Sequence, residues 1–189
     1  MKLFCIGDSL TYGYGVSWDE TWTAILSRNT GIQIQNEGVC GDTSAGMLYR
    51  LEQISLEDMG AGFVMGGSND ILLDEPAVCT RKHMQSMTTL LVKTSKPVYV
   101  GIPPLTKEES AFYGWQAAGD VRRHNQALAD YRQWLLALCR EKGCRAIDFY
   151  EALHCAEMQQ QVSLYADGVH PNAAGYAVLA AAAMKIIIH

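Results

Sequence analysis

The 189-residue chain is 49 % hydrophobic and 19 % charged, a globular composition that excludes a disordered chain. A net charge of −5 and a pI near 5.5 exclude the basic face of a nucleic-acid binder, so no nucleic-acid partner is expected. The longest apolar stretch, 176–184, is about half of the ~20 residues that span a bilayer, so no stable membrane insertion is expected.

The first predicted strand covers 2–6 and starts at once. Met1-Lys2 is followed by only four apolar residues before Gly7-Asp8, too few for the ~7–15 apolar residues of a secretory leader. A cytoplasmic location is therefore expected. Helical spacing predicts a helix over 19–29, with Asp19 as its N-cap and Gly31 just past its end. A second strand is predicted over 32–35 and a helix over 43–57, starting from Thr43 or Ser44. A third strand, 62–65, precedes a helix over 77–94, in which Met84, Met87, Leu90 and Leu91 recur at three- and four-residue steps. A strand over 98–102 leads into the longest irregular segment, 103–119, and a loop of that length in a small domain is often functional. A helix over 120–142 keeps Val121, Leu128, Tyr131, Leu135 and Leu138 on one stripe, and Gly143 ends it. A fifth strand covers 145–149, and a last helix follows Pro171-Asn172.

Short, continuous apolar strands suit a parallel sheet covered on both faces. Their alternation with helices predicts right-handed crossovers and a three-layer α/β/α domain spanning 1–189. No repeat or linker interrupts it. Cys5, Cys40, Cys79, Cys139, Cys144 and Cys155 are scattered without a C-x-x-C pair, which reads as free thiols in a reducing compartment and not as a zinc site. No metal and no cofactor are expected.

Ligands of open α/β sheets bind outside the carboxyl ends of the strands, so the residues just after each strand carry the information. Ser9 follows the first strand. Taken alone it also suits a turn or a helix cap, because a serine hydroxyl needs a base to become a nucleophile. His170 is a candidate base, and Asp167, three residues earlier, could hold the imidazole through its other nitrogen. Alone, Asp167-Gly168 is also a plain turn and His170 a residue at a helix start. Gly41 and Asn69, after the second and third strands, could donate N–H groups to a developing oxyanion together with the Ser9 amide, or could equally serve as a turn glycine and a helix cap.

The joint arrangement resembles the GDSL/SGNH esterase–lipase family over nearly the whole chain. Gly7-Asp8-Ser9-Leu10, Asn36-x-Gly38-x-x-Gly41-Asp42-Thr43, Gly67-Ser68-Asn69-Asp70 and Asp167-x-x-His170-Pro171 look like its four blocks, in order. The segment from Leu10 to Val16 and Glu20-Thr21-Trp22 look like the branch that holds thioesterase I and arylesterases. The resemblance implies a flavodoxin-like sheet of order 2-1-3-4-5 and a metal-free serine mechanism. Ser9 would be the nucleophile, Asp167 and His170 would complete the triad, and Ser9, Gly41 and Asn69 would form the oxyanion hole. Two departures are small: Cys40 stands where a residue such as serine is expected, and Ser68 replaces a commoner threonine. The α/β-hydrolase elbow G-x-S-x-G is excluded by Thr11.

The expected activity is hydrolysis of small or acyl-chain esters or thioesters through an acyl-enzyme on Ser9. The alternatives are a carbohydrate O-acetyl esterase, an inactive binding module on the same fold, and a flavin or nucleotide binder, which lacks a G-x-x-x-x-G-K-[ST] loop. Tyr12, Tyr14, Trp18, Ile71, Pro103, Phe112, Tyr113 and Trp115 are expected to wall the substrate pocket. His83, His124, His154 and His189 read as surface or satisfied core, Arg122-Arg123-His124 as a solvated helix start, and Asp8, Asp42 and Asp70 as holding loops through backbone N–H groups. The methionines read mostly as core filler. Two open sheet edges leave room for a homodimer.

Overall fold

The computed structural model describes residues 2–56 and 60–188. Five parallel strands form one sheet in the order β2-β1-β3-β4-β5. Strand β1 (Lys2–Gly7) turns into the single helical turn α1 (Ser9–Tyr12), and a 3₁₀ turn at Trp18–Glu20 precedes α2 (Trp22–Thr30). Then come β2 (Gln33–Gly38), α3 (Ser44–Gln53), β3 (Ala61–Met65), the short α4 (Ser68–Leu72) and α5 (Ala77–Thr94). The chain continues through β4 (Val98–Ile102), α6 (Val121–Lys142), β5 (Arg145–Asp148), α7 (Phe149–Gln160) and α8 (Ala173–Ile187).

Side-chain alternation along the buried strands divides the core into two halves. Odd-numbered residues Leu3, Cys5, Phe63, Met65, Tyr99 and Ile147 face α2, α7 and α8. Even-numbered Phe4, Ile6, Val64, Val98, Val100 and Ile102 face α3, α5 and α6. Each face is thus fully covered, as the continuous apolar runs of β1, β3 and β4 require. Strand β2 is different. It lies at the edge beside β1, reads Gln-Ile-Gln-Asn-Glu-Gly, and is half exposed. It also runs to Gly38, so Asn36 and Gly38 lie in the strand and not in the loop beyond it.

Several boundaries move for local reasons. Thr21, not Asp19, caps α2: its Oγ1 accepts from the Ala24 amide at 3.2 Å. The expected helix over 43–57 stops at Gln53, and Glu57 lies outside the described residues, as does His189. Helix α7 was not legible as a separate element. It starts directly from β5, with the Asp148 carboxylate accepting from the Glu151 amide, and buries only a narrow stripe through Phe149 and Leu153. Among the described residues no helix is long and apolar enough to cross a membrane.

Candidate active site

All strands point their carboxyl ends the same way, so the loops after them converge at one rim. A cleft of about 450 Å³ opens there, lined by Ser9, Tyr14, Cys40, Gly41, Asn69, Leu72, Leu73, Gly114, Trp115, Val169 and His170. Ser9 sits at the start of α1, where the Asp8 carboxylate accepts from the Leu10 amide at 2.9 Å and sets the turn. Asp167 and His170 come from the turn before α8, closed by the Tyr165–Pro171 bridge. Residues 161 positions apart thereby meet: Ser9 Oγ lies 2.9 Å from His170 Nε2. His170 Nδ1 lies 2.8 Å from Asp167 Oδ2.

Proton positions follow from this geometry. An ionised carboxylate only accepts, so His170 Nδ1 carries the hydrogen and Nε2 offers a lone pair to the serine hydroxyl. Asp167 is fitted to remain ionised. Burial alone would raise its pKa, but the His170 amide, the His170 ring and the Val169 amide outweigh burial and hold the carboxyl below its ordinary value. The imidazole is bracketed by Tyr14, 4.4 Å between centroids, and by Trp115 at 5.0 Å and near perpendicular. The indole Nε1–H of Trp115 also donates to Asp167 Oδ2 at 2.9 Å.

The donor groups expected around an oxyanion border the same cleft. Asn69 Nδ2 gives one hydrogen to the Asp42 carbonyl at 2.8 Å, which fixes the amide orientation and leaves its second N–H free to donate. Gly41 adopts φ +75°, a left-handed conformation that turns the loop at the rim and that a side chain would resist. Asp70, beside Asn69, accepts from the Ser44 amide at 2.8 Å and joins α3 to α4. Cys40 offers a second potential nucleophile, but burial and then the nearby Asp8 charge push its thiol pKa up, away from the reactive thiolate.

Other expected residues fall differently. Of the predicted pocket walls, Tyr14 and Trp115 line the cleft. Trp18 is 81 % and Phe112 88 % exposed, Phe112 edging a separate hollow with Val121 and Arg122. Tyr12 and Tyr113 also face outward, Pro103 is buried at the end of β4, and Ile71 packs against the α3/α5/α6 half of the core. Leu72, Leu73 and Val169 supply the apolar wall; Leu72 and Leu73 directly follow the expected Ile71, and Val169 lies inside the Asp167–Pro171 block. Asp8 and Asp70 do bind backbone amides, whereas Asp42 pairs with the Arg50 guanidinium at 2.7 Å. Arg50 further donates to the carbonyls of Glu37 and Gly7, clamping the ends of β2 and β1. Arg123 is exposed at the start of α6 as expected, but His124 beside it is buried, 2.6 Å from Gln116 Oε1. Among the described residues no group of three His, Cys, Asp or Glu side chains is placed to hold a metal ion.

The chemistry this arrangement can perform is proton removal from a serine hydroxyl beside an apolar cleft with N–H donors at its edge. Comparison with known proteins identifies the family. The model of the GDSL-like lipase/acylhydrolase family matches residues 5–178. A solved member of the lipolytic protein G-D-S-L family from Veillonella parvula is 28 % identical, with 100 % of this chain and 99 % of that chain covered and a TM-score of 0.78. A lipase/acylhydrolase from Enterococcus faecalis is 23 % identical over 97 % of this chain and 93 % of that one, with a TM-score of 0.72. An acetylxylan esterase from Geobacillus stearothermophilus is 18 % identical over 97 % and 92 %, with a TM-score of 0.74. The last two likenesses speak to the fold alone. No curated protein matches the chain.

Proposed function

The chain belongs to the GDSL-like lipase/acylhydrolase family, and we propose that it hydrolyses carboxylic esters or thioesters through an acyl-enzyme on Ser9. The observation that carries this reading is the unbroken chain from Ser9 Oγ to His170 to Asp167, with both contacts below 3 Å. His170 Nε2 takes the serine proton as Ser9 Oγ attacks the substrate carbonyl. Negative charge then builds on the carbonyl oxygen, where the Ser9 and Gly41 amides and Asn69 Nδ2 are the donors at hand, each such donor contributing ~2.7–4 kcal/mol in comparable sites. The imidazolium, stabilised by Asp167, returns its proton to the leaving oxygen or sulfur. A water molecule, activated by the same His170, releases the acid and restores Ser9.

The cleft lining narrows the substrate. It contains no lysine, arginine or ionised carboxylate, and its walls are Leu72, Leu73, Val169 and the rings of Tyr14 and Trp115. An uncharged acyl group suits that wall. The same two rings would also stack on a sugar face, which keeps an acetylated carbohydrate as the second reading.

Release rates on p-nitrophenyl esters from acetate to decanoate, with Ser9→Ala as control, test the proposal. Ser9-dependent rates that peak between about six and ten carbons support an acyl-chain pocket. Activity confined to acetate supports the acetylated-sugar reading. Equal release by wild type and Ser9→Ala would overturn the serine mechanism.

A further inference from the structure

We propose that Trp115 is a positioning residue for the triad acid, held in register by the strap formed by residues 103–119. The proposal rests on the reading of Ser9, His170 and Asp167 as the reacting triad. The two oxygens of Asp167 accept from different parts of the chain. Its Oδ1 accepts the amides of Val169 at 3.0 Å and His170 at 2.7 Å, both from its own turn. Its Oδ2 accepts His170 Nδ1 at 2.8 Å and Trp115 Nε1 at 2.9 Å. The indole therefore reaches the acid from outside that turn and on the oxygen that holds the base. Indole N–H is a donor only, and its bond to a carboxylate is charge-assisted, so it favours one rotation of the Asp167 carboxyl group.

The strap is built to deliver that bond. The Trp115 amide donates to the Ser110 carbonyl at 3.0 Å. Gln116, next along and buried, spends its amide hydrogens on Thr106 Oγ1 at 2.8 Å and Ser110 Oγ at 2.7 Å. Its Oε1 is left to face His124 Nδ1 at 2.6 Å, on the first turn of α6. The opposite side of the strap is tied to the triad's own turn, where the Lys107 amide donates to the Gly168 carbonyl at 2.7 Å. The strap thus joins α6 to the Asp167–His170 turn, and Trp115 is where it touches the reacting groups.

The base becomes an imidazolium during attack, and Asp167 Oδ2 must stay aligned with it at that moment. Loss of the indole bond should therefore act on kcat. Trp115→Phe keeps an aromatic wall and removes the donor. With p-nitrophenyl butyrate as the probe, kcat is expected to fall about tenfold, the scale of one hydrogen bond to a charged group, while KM moves about twofold or less. Gln116→Ala should lower kcat by loosening the strap, and the double variant should lose less than the product of the two single losses. The downfield proton resonance of His170 Nδ1–H, read in the resting protein, should shift or broaden in Trp115→Phe. A change in KM alone, with kcat and the resonance as in wild type, would make Trp115 only a cleft wall and overturn the proposal. Independent, fully multiplicative losses in the double variant would overturn the role of the strap. The hydrolase reading fails in a different place: wild type would then show no Ser9-dependent release, and the resonance, which needs no turnover, would still decide for or against Trp115.

Discussion

Asp8 has no exposure to solvent, yet it lies directly beside the nucleophile. Its two oxygens accept from the Leu10 amide at 2.9 Å and Ser68 Oγ at 3.0 Å. Burial raises its pKa to about 6, the two hydrogen bonds oppose that rise, and the charges of Asp70 and Asp42 add to it. The unfolded value is ~3.9, so between about pH 4 and 6 the folded chain holds more protons at this site than the unfolded one. Stability from this group is therefore present at the acid end and falls as pH rises to 6. Asp8→Asn carries no charge to bury. Thermal or urea denaturation should show the variant gaining on wild type by about 2–3 kcal/mol between pH 4 and 7, the value of a two-unit shift. A stability difference that stays constant with pH would contradict the buried, titrating carboxyl.

Sequence reaches some of these side chains and not others. Ser9, Gly41, Asn69, Asp167 and His170 were legible because each lies in a short block just after a strand or before the last helix, and all but Asp167 line one cleft, with Asp167 bonded to His170 behind it. Arg50, which clamps two strand ends, carries no sequence signal for that role, because the Glu37 and Gly7 carbonyls it holds are brought together only by folding. The Trp115 bond to Asp167 was hidden for the same reason, since 52 residues separate them. Phe112, Tyr113 and Trp115 are all aromatic, and the path of the strap decides which ring turns inward.

Among the elements, the turn before α8 shows how local backbone shape serves the site. Gly168 takes φ +81°, and a Cβ built there would stand 2.2 Å from the Ser110 amide nitrogen of the strap. Gly168→Ala meets both a left-handed backbone and a contact with main chain that cannot swing aside. It should cost more than about 1 kcal/mol of stability, and more than an ordinary Gly→Ala change, because the strap must move as well. Lower Tm together with a reduced kcat is the expected result. An unaltered kcat would show that the strap and the triad turn are not mechanically joined. Helix α5 was readable to its ends from methionine and leucine spacing, whereas α7 was not, because a helix that continues straight from a strand offers no intervening loop. Helix α2 starts later than the spacing predicts because a 3₁₀ turn at Trp18–Glu20 imitates a first helical turn.

For the whole molecule, the sheet separates two core halves. The half containing α2, α7 and α8 is centred on Phe63, packed between Trp22 at 5.0 Å and Phe149 at 6.3 Å between ring centroids. None of its residues lines the cleft, although Tyr176 Oη donates to the carbonyl of Tyr14, which does. Phe63→Ala should cost about 3–5 kcal/mol in denaturant unfolding, while the folded fraction keeps its KM. A large change in KM would mean that this core half also shapes the cleft. The sheet order was legible through the family resemblance, and the register was not, because pairing depends on how the two buried faces fill.

Covalent labelling shows whether Ser9 is the nucleophile. Diethyl p-nitrophenyl phosphate transfers a diethylphosphoryl group to an activated serine and releases p-nitrophenolate. Mass spectrometry of the digested protein should place one such group on the peptide that contains Ser9, with esterase activity lost in step and no labelling of Ser9→Ala. Label on another residue, or turnover that survives complete labelling of Ser9, would contradict the account.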